Sequence, residues 1–123
     1  MYTLDTNAII YYLKDDSEVV IFLDKILNQP SPIYIASVSE VELFGFSKLT
    51  VKEIEKIENI LSTLSIIPLD SHLAKIAGFL RRKYKLKTPD SIIAATTIFT
   101  GSTLITRNIR DFKKIPKFSL QEV

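Results

Sequence analysis

Short apolar runs alternate with stretches of helical periodicity along the whole chain. This pattern points to an α/β fold with a parallel sheet covered by helices on both faces. The runs Tyr2–Leu4, Ile33–Ala36, 66–69 and Thr103–Thr106 read as strands, with 118–120 a candidate fifth. Between them, Thr6–Leu13 fits a helix, and 17–28 sets Val20, Leu23 and Leu27 on one helical face. Ser37 with Glu40, and Thr50 with Glu53, have the spacing of capping boxes at helix starts. The second opens a stripe of Val51, Ile54, Ile57, Leu61 and Leu64. Asp70 is placed to cap a helix that turns Leu73, Ile76, Ala77 and Leu80 inward. Thr88-Pro89-Asp90 starts another, with proline at the first helical position, and it runs through Ile92, Ile93, Ala95 and Phe99 to Gly101.

At 123 residues, 46% hydrophobic and 24% charged, the chain suits one compact domain spanning 1–123. Without cysteine it has neither a disulfide framework nor a thiolate zinc site, and His72, the lone histidine, reads as an ordinary helix residue. No apolar run approaches the roughly 18 residues of a membrane span, and Met1 to Asp5 carries no basic leader. A cytoplasmic protein is expected, with no membrane partner. Residues 1–70 hold 5 Lys/Arg against 11 Asp/Glu, a net −6, whereas 71–123 hold 11 against 3, a net +8. That division suits an acidic site beside a basic surface, as a cation-dependent enzyme acting on a polyanion needs, although a plain spread of solvated charge also produces it. Ten of the 16 Lys/Arg fall in the stretches 81–87 and 107–117.

In a parallel sheet ligands bind beyond the carboxyl ends of the strands, so acids just after strands or in the next helical turn carry the interest. Asp5 follows the first strand directly, and Thr6 and Asn7 add a hydroxyl and an amide able to position it or a water. Glu42 lies among Val41, Leu43 and Phe44, where a carboxylate is costly to ionise without a cationic partner. Asp90 begins an apolar helix; Asn108 and Asp111 follow the fourth strand, with Arg107 and Arg110 within pairing reach. Each acid alone has an ordinary explanation as a helix cap, dipole partner or surface residue. Gathered at one sheet edge, they would repel one another until a divalent cation relieved the conflict. All-oxygen ligation favours Mg²⁺ or Mn²⁺, able to acidify a water and stabilise a phosphate under attack.

The motifs Leu4-Asp5-Thr6-Asn7, Ser37 through Glu42-Leu43 to Gly45, Asp90-Ser91-Ile92-Ile93-Ala94-Ala95-Thr96, and Thr106-Arg107-Asn108 to Asp111-Phe112 occur in that order over nearly the whole chain. Together they resemble the PIN-domain family, and within it the VapC-type ribonuclease toxins of toxin–antitoxin pairs. The resemblance implies a Mg²⁺- or Mn²⁺-dependent endoribonuclease that cuts RNA phosphodiester bonds. Asp5, Glu42 and Asp90 match the core metal ligands and Asp111 a fourth acidic position; Asn108 lies where some members have Asp. A neutral amide at Asn108 would hold a second cation less firmly. On this reading Thr6, Asn7, Thr106 and Asn108 orient water or phosphate, and Arg107 and Arg110 meet the RNA. The family further implies a homodimer and a cognate antitoxin.

Two other classes compete. A receiver or phosphotransfer domain also places an Asp after a strand, but it needs an acidic pair or an Asp-x-Asp where this chain has Asp5-Thr6-Asn7. A non-catalytic RNA-binding or assembly module on the PIN fold would keep the architecture; such modules often lose acids that this chain retains.

Overall fold

Residues 1–123 are described by a computed structural model. The strands β1 (Tyr2–Leu4), β2 (Ile33–Ala36), β3 (Ser65–Ile67), β4 (Thr103–Thr106) and β5 (Leu120–Glu122) make one sheet in the order β3-β2-β1-β4-β5. Every neighbouring pair is parallel, in the registers Tyr2↔Ile33, Tyr2↔Thr103, Tyr34↔Ser65 and Leu104↔Leu120. Parallel neighbours require crossovers, which are helical here. The helices α1 (Thr6–Leu13) and α2 (Ser17–Leu27) link β1 to β2, and α3 (Ser37–Phe44) and α4 (Val51–Leu61) link β2 to β3. The pair α5 (Ser71–Tyr84) and α6 (Thr88–Thr100) leads to β4, and the single turn α7 (Ile109–Phe112) to β5.

Side chains alternate across the strands, and so build two cores. Leu4, Ile33, Ile35 and Ile105 pack on one face with Ala8, Ile9, Leu23, Leu43 and Ile57. Ala36 and Leu104 pack on the other with Leu73, Leu80, Ile93, Ala95 and Phe112. Residues 91–97 of α6 are buried all round, as befits a helix lying directly on a sheet. Thr96 and Thr97 satisfy their hydroxyls by donating to the Ile92 and Ile93 carbonyls, at 2.8 and 2.9 Å. No helix is long and apolar enough to cross a membrane.

Several local expectations shift. Ser37 does not cap α3: its Oγ accepts from the Leu69 N–H at 3.0 Å, Ala36 holds the N-cap position, and no side chain caps the helix. The third strand is Ser65–Ile67 rather than 66–69, because Pro68 has no N–H for the ladder and Leu69 is engaged by Ser37. The fifth begins at Leu120, because Phe118 turns inward and stacks on Phe112 at 6.0 Å. The buried face of α2 is Val19, Leu23 and Ile26, with Val20 and Leu27 only half-buried. In α4 only Ile57, Ile60 and Leu61 are buried, and Val51 and Ile54 remain exposed, because the helix meets the core along its second half alone. Phe99 is 56% exposed at the far end of α6. Pro89 takes the second position of its helix, where a missing N–H is equally harmless. The Thr50–Glu53 capping box forms as expected, with both reciprocal bonds made.

Candidate active site

The strand order reverses between β1 and β4, so the crevice beyond their carboxyl ends is where a parallel sheet offers a binding site. Asp5 stands there. Its N–H donates to the Ile105 carbonyl at 3.0 Å and extends the sheet by one bond, while its own carbonyl accepts from Ala8 N–H. Asp5 is the N-cap residue of α1, yet its carboxylate makes no capping bond. Instead Oδ2 accepts from the Thr106 hydroxyl at 2.7 Å, across the switch point from the end of β4. The Thr106 oxygen in turn accepts from the Asn108 N–H at 2.9 Å. Thr106 thus orients Asp5, and the turn after β4 orients Thr106.

Glu42 arrives from the opposite side, on α3, and is exposed rather than held against apolar surface. What fixes it is Thr6, whose hydroxyl donates to Oε1 at 2.7 Å. Thr6 Oγ also lies 2.7 Å from Ser39 Oγ. One hydroxyl proton serves one acceptor at a time. Thr6 is the donor in both contacts, so its proton is shared between the Glu42 carboxylate and Ser39 Oγ. Ser39 is fully buried and had no sequence signal beyond lying one helical turn before Glu42.

Burial first of all raises the Asp5 pKa to about 6; Asp90 and Glu42 add to the rise, and the Thr106 hydroxyl and the Thr6 N–H oppose it. Asp90, in the first turn of α6, is half-buried, and its carboxyl is raised by that burial and then by Asp111 and Glu42, against the pull of Lys87. Asp90 and Glu42 therefore act on Asp5, and Asp111 and Glu42 on Asp90. Still, no three of the His, Cys, Asp or Glu side chains are gathered tightly enough to make a finished metal cage. Asp111 sits on α7 with Lys114 Nζ at 3.7 Å, and not paired with Arg107 or Arg110.

The remaining expected residues divide. Asn7 is exposed and makes no hydrogen bond through its side chain; Asn108 contributes its backbone N–H. Arg110 is exposed and free of any ion pair. Arg107, half-buried, is engaged by the protein. Nη1 and Nη2 donate to both oxygens of Asp16 at 3.1 and 3.0 Å, and Nε donates to the Val123 oxygen at 2.7 Å. Its guanidinium also lies 4.6 Å from the centre of the Tyr11 ring. Asp16 additionally caps α2 through Val19 N–H, and the bond from Arg107 holds its carboxyl below the usual range. His72 is exposed on α5, edge-on to Phe99 and apart from these acids, as an ordinary helix residue would be.

Comparison with known proteins bears on this geometry. The model of the PIN domain family matches residues 2–118. The chain is 32% identical to Ribonuclease VapC2 of Rickettsia felis, over 98% of this chain and 96% of that protein. The fold superposes on the crystal structure of VapBC2 from Rickettsia felis bound to a DNA fragment from its promoter, with a TM-score of 0.83, 27% identity, and coverage of 99% and 98%. A toxin–antitoxin complex from Klebsiella pneumoniae gives a TM-score of 0.82 and 31% identity over the full length of both chains.

Proposed function

The chain belongs to the PIN-domain family, and from that premise we propose that it is a cation-dependent endoribonuclease, the toxin of a toxin–antitoxin pair. One observation carries the reading. Burial raises the proton affinity of Asp5, beyond β1, and of Asp90, at the start of α6; Asp90 and Glu42 raise that of Asp5 further, and Asp111 and Glu42 that of Asp90. Carboxylates so placed are costly for stability alone and useful once a cation is present.

Asp5, Glu42 and Asp90 would hold Mg²⁺ or Mn²⁺, with Asp111 as the fourth acid. The bound cation supplies a water of lowered pKa and neutralises charge on the phosphate under attack. The chain's own groups set the geometry. Thr106 keeps one oxygen of Asp5 turned towards β4. Thr6 keeps Glu42 extended from α3 across the start of α1. With its pKa at about 6, Asp5 is mostly ionised at neutral pH and ready to act as a ligand. Arg110 is the free arginine beside the site and the one proposed to meet RNA, since Arg107 is committed to Asp16.

A groove of about 510 Å³ is lined from α1, α3 and α4, where Ile10, Leu43, Phe46 and Ile57 form its apolar floor and Lys14, Lys48 and Lys56 outnumber the one acid, Glu53. An apolar segment carrying acidic residues matches that lining. We assign it to the antitoxin, the kind of partner present in the toxin–antitoxin complex of similar fold. A homodimer is proposed as well, and Ile98 and Phe99, exposed at the end of α6, are apolar surface that a second copy would cover.

Cleavage of a mixed RNA pool by antitoxin-free protein, in Mg²⁺ or EDTA, tests the reading. Cutting in Mg²⁺ that stops in EDTA and falls at least a hundredfold in Glu42→Gln is the expected result. RNA binding without any cutting would move the assignment to a non-catalytic RNA-binding module.

A further inference from the structure

Helix α5 ends in a run of cations, Arg81, Arg82, Lys83, Lys85 and Lys87, all exposed. None of the five has a carboxylate partner: the chain's ion pairs are those of Arg107 with Asp16 and Glu18 and of Lys114 with Asp111. The turn that carries them is rigid. Leu86, 4% exposed, is sunk into the core with Leu80, Ile93 and Phe112. Arg81 Nε donates to Thr88 Oγ at 2.9 Å and ties the end of α5 to the start of α6. Lys87 is the N-cap residue of α6, whose first turn holds Asp90, so the basic run leads directly to the carboxylate site.

Two further features mark this turn. Lys85 closes α5 in the left-handed region, φ 56° and ψ 44°, a position that favours glycine because a side chain there strains the backbone. A lysine there retains a charge where glycine would make the simpler helix end. Phe79 stands 45% exposed, with the Arg82 guanidinium 5.8 Å and the Lys83 ammonium 5.5 Å from its ring centre. Neighbours three and four residues apart on any helix approach each other in this way. That local geometry does not account for five cations without a carboxylate partner.

We propose that the α5–α6 turn, residues 81–87 together with Phe79, is the surface on which single-stranded RNA docks on its way to the carboxylate site. The cations face successive phosphates, and the exposed ring offers a platform for a base. Duplex RNA, recognised mainly through its backbone and shape, would leave the ring unused. This inference rests on the ribonuclease reading and extends it, because the acids alone do not say from which side the substrate arrives.

Binding of a short fluorescent single-stranded RNA of mixed sequence, in EDTA so that nothing is cut, tests the surface through a salt titration. Wild type is compared with Lys85→Gly, with Phe79→Leu, and with Arg82→Gln, Lys83→Gln and Lys85→Gly combined. Lys85→Gly should melt at or above the wild-type temperature and still bind RNA several-fold more weakly. The triple variant should lower the slope of log affinity against log salt by about 2, at about 0.7 for each phosphate no longer neutralised. Phe79→Leu should weaken binding with the slope unchanged. Unchanged affinity and slope in the triple variant overturn the proposal, and so does weakening that appears only where the melting temperature falls. A parallel cleavage assay separates the two readings. Cutting by wild type with unaltered binding in the variants removes the docking surface alone, whereas altered binding without any cutting by wild type removes the nuclease alone.

Discussion

The charge on Asp5 illustrates at residue scale how a useful carboxylate weakens the fold that holds it. Its folded pKa is about 6 against an ordinary 3.8, so between those values the folded state binds more protons than the unfolded one. Stability of the metal-free protein therefore falls as pH rises from about 4 to about 6 and stays low above that. A gap of about two units corresponds to roughly 3 kcal/mol at most. Asp16 acts in the opposite sense and in a lower window: its carboxyl lies below the ordinary value, so its contribution is present above about pH 4 and is lost only as pH drops through the acid range. Denaturant unfolding in EDTA at pH 5 and pH 8 checks this. The expected result is lower stability at pH 8 for wild type and a much smaller difference for Asp5→Asn. Saturating Mg²⁺ should recover stability chiefly at the higher pH, because the cation needs the ionised acid.

Among the elements, the Arg107 clamp ties the turn after β4 to the end of α1, the start of α2 and the oxygen of Val123. Asp16→Asn and Arg107→Gln should each lower the melting temperature, and the double variant should fall by less than the sum of the two. If Arg107 instead met RNA, Asp16→Asn would release it and tighten RNA binding with little change in melting. Sequence suggested the RNA role because Arg107 opens the basic stretch 107–117, which flanks Asn108 and Asp111. The partner that claims it is 91 residues away in the chain, at a distance no local pattern reports. The same limit hid Ser39, whose only visible property was its place on a helix. Gly101, by contrast, was legible as a helix end. It takes φ 63°, and Gly101→Ala should cost about 1 kcal/mol in denaturant unfolding. Strand type and order along the chain could also be read directly, because the apolar runs are short and bounded by polar turns. The ends of β3 and β5 could not, since Pro68 and the inward Phe118 set them through backbone chemistry and packing.

Over the whole molecule, the acidic and basic halves of the sequence meet at the site. Asp5 and Glu42 come from the acidic half, Asp90 and Asp111 from the basic one, and the sheet order brings their elements together at the switch point. Asp5 and Asp90 stood out in the sequence because one follows a strand and the other opens a helix in a parallel fold, whereas Glu42, late in α3, stood out only by its apolar neighbours. How tightly they assemble was not recognisable, and as placed they form no closed cage. If Asp5 is kept for its cation at a cost to the fold, removing its charge should stabilise the metal-free protein and silence the enzyme together. Melting and RNA cleavage of wild type and Asp5→Asn, each with and without Mg²⁺ at pH 8, test both at once. Asp5→Asn should melt higher than wild type without metal, gain little from Mg²⁺, and leave RNA uncut. An Asp5→Asn protein that cuts as well as wild type, or that melts lower without metal while still responding fully to Mg²⁺, would contradict this role for Asp5.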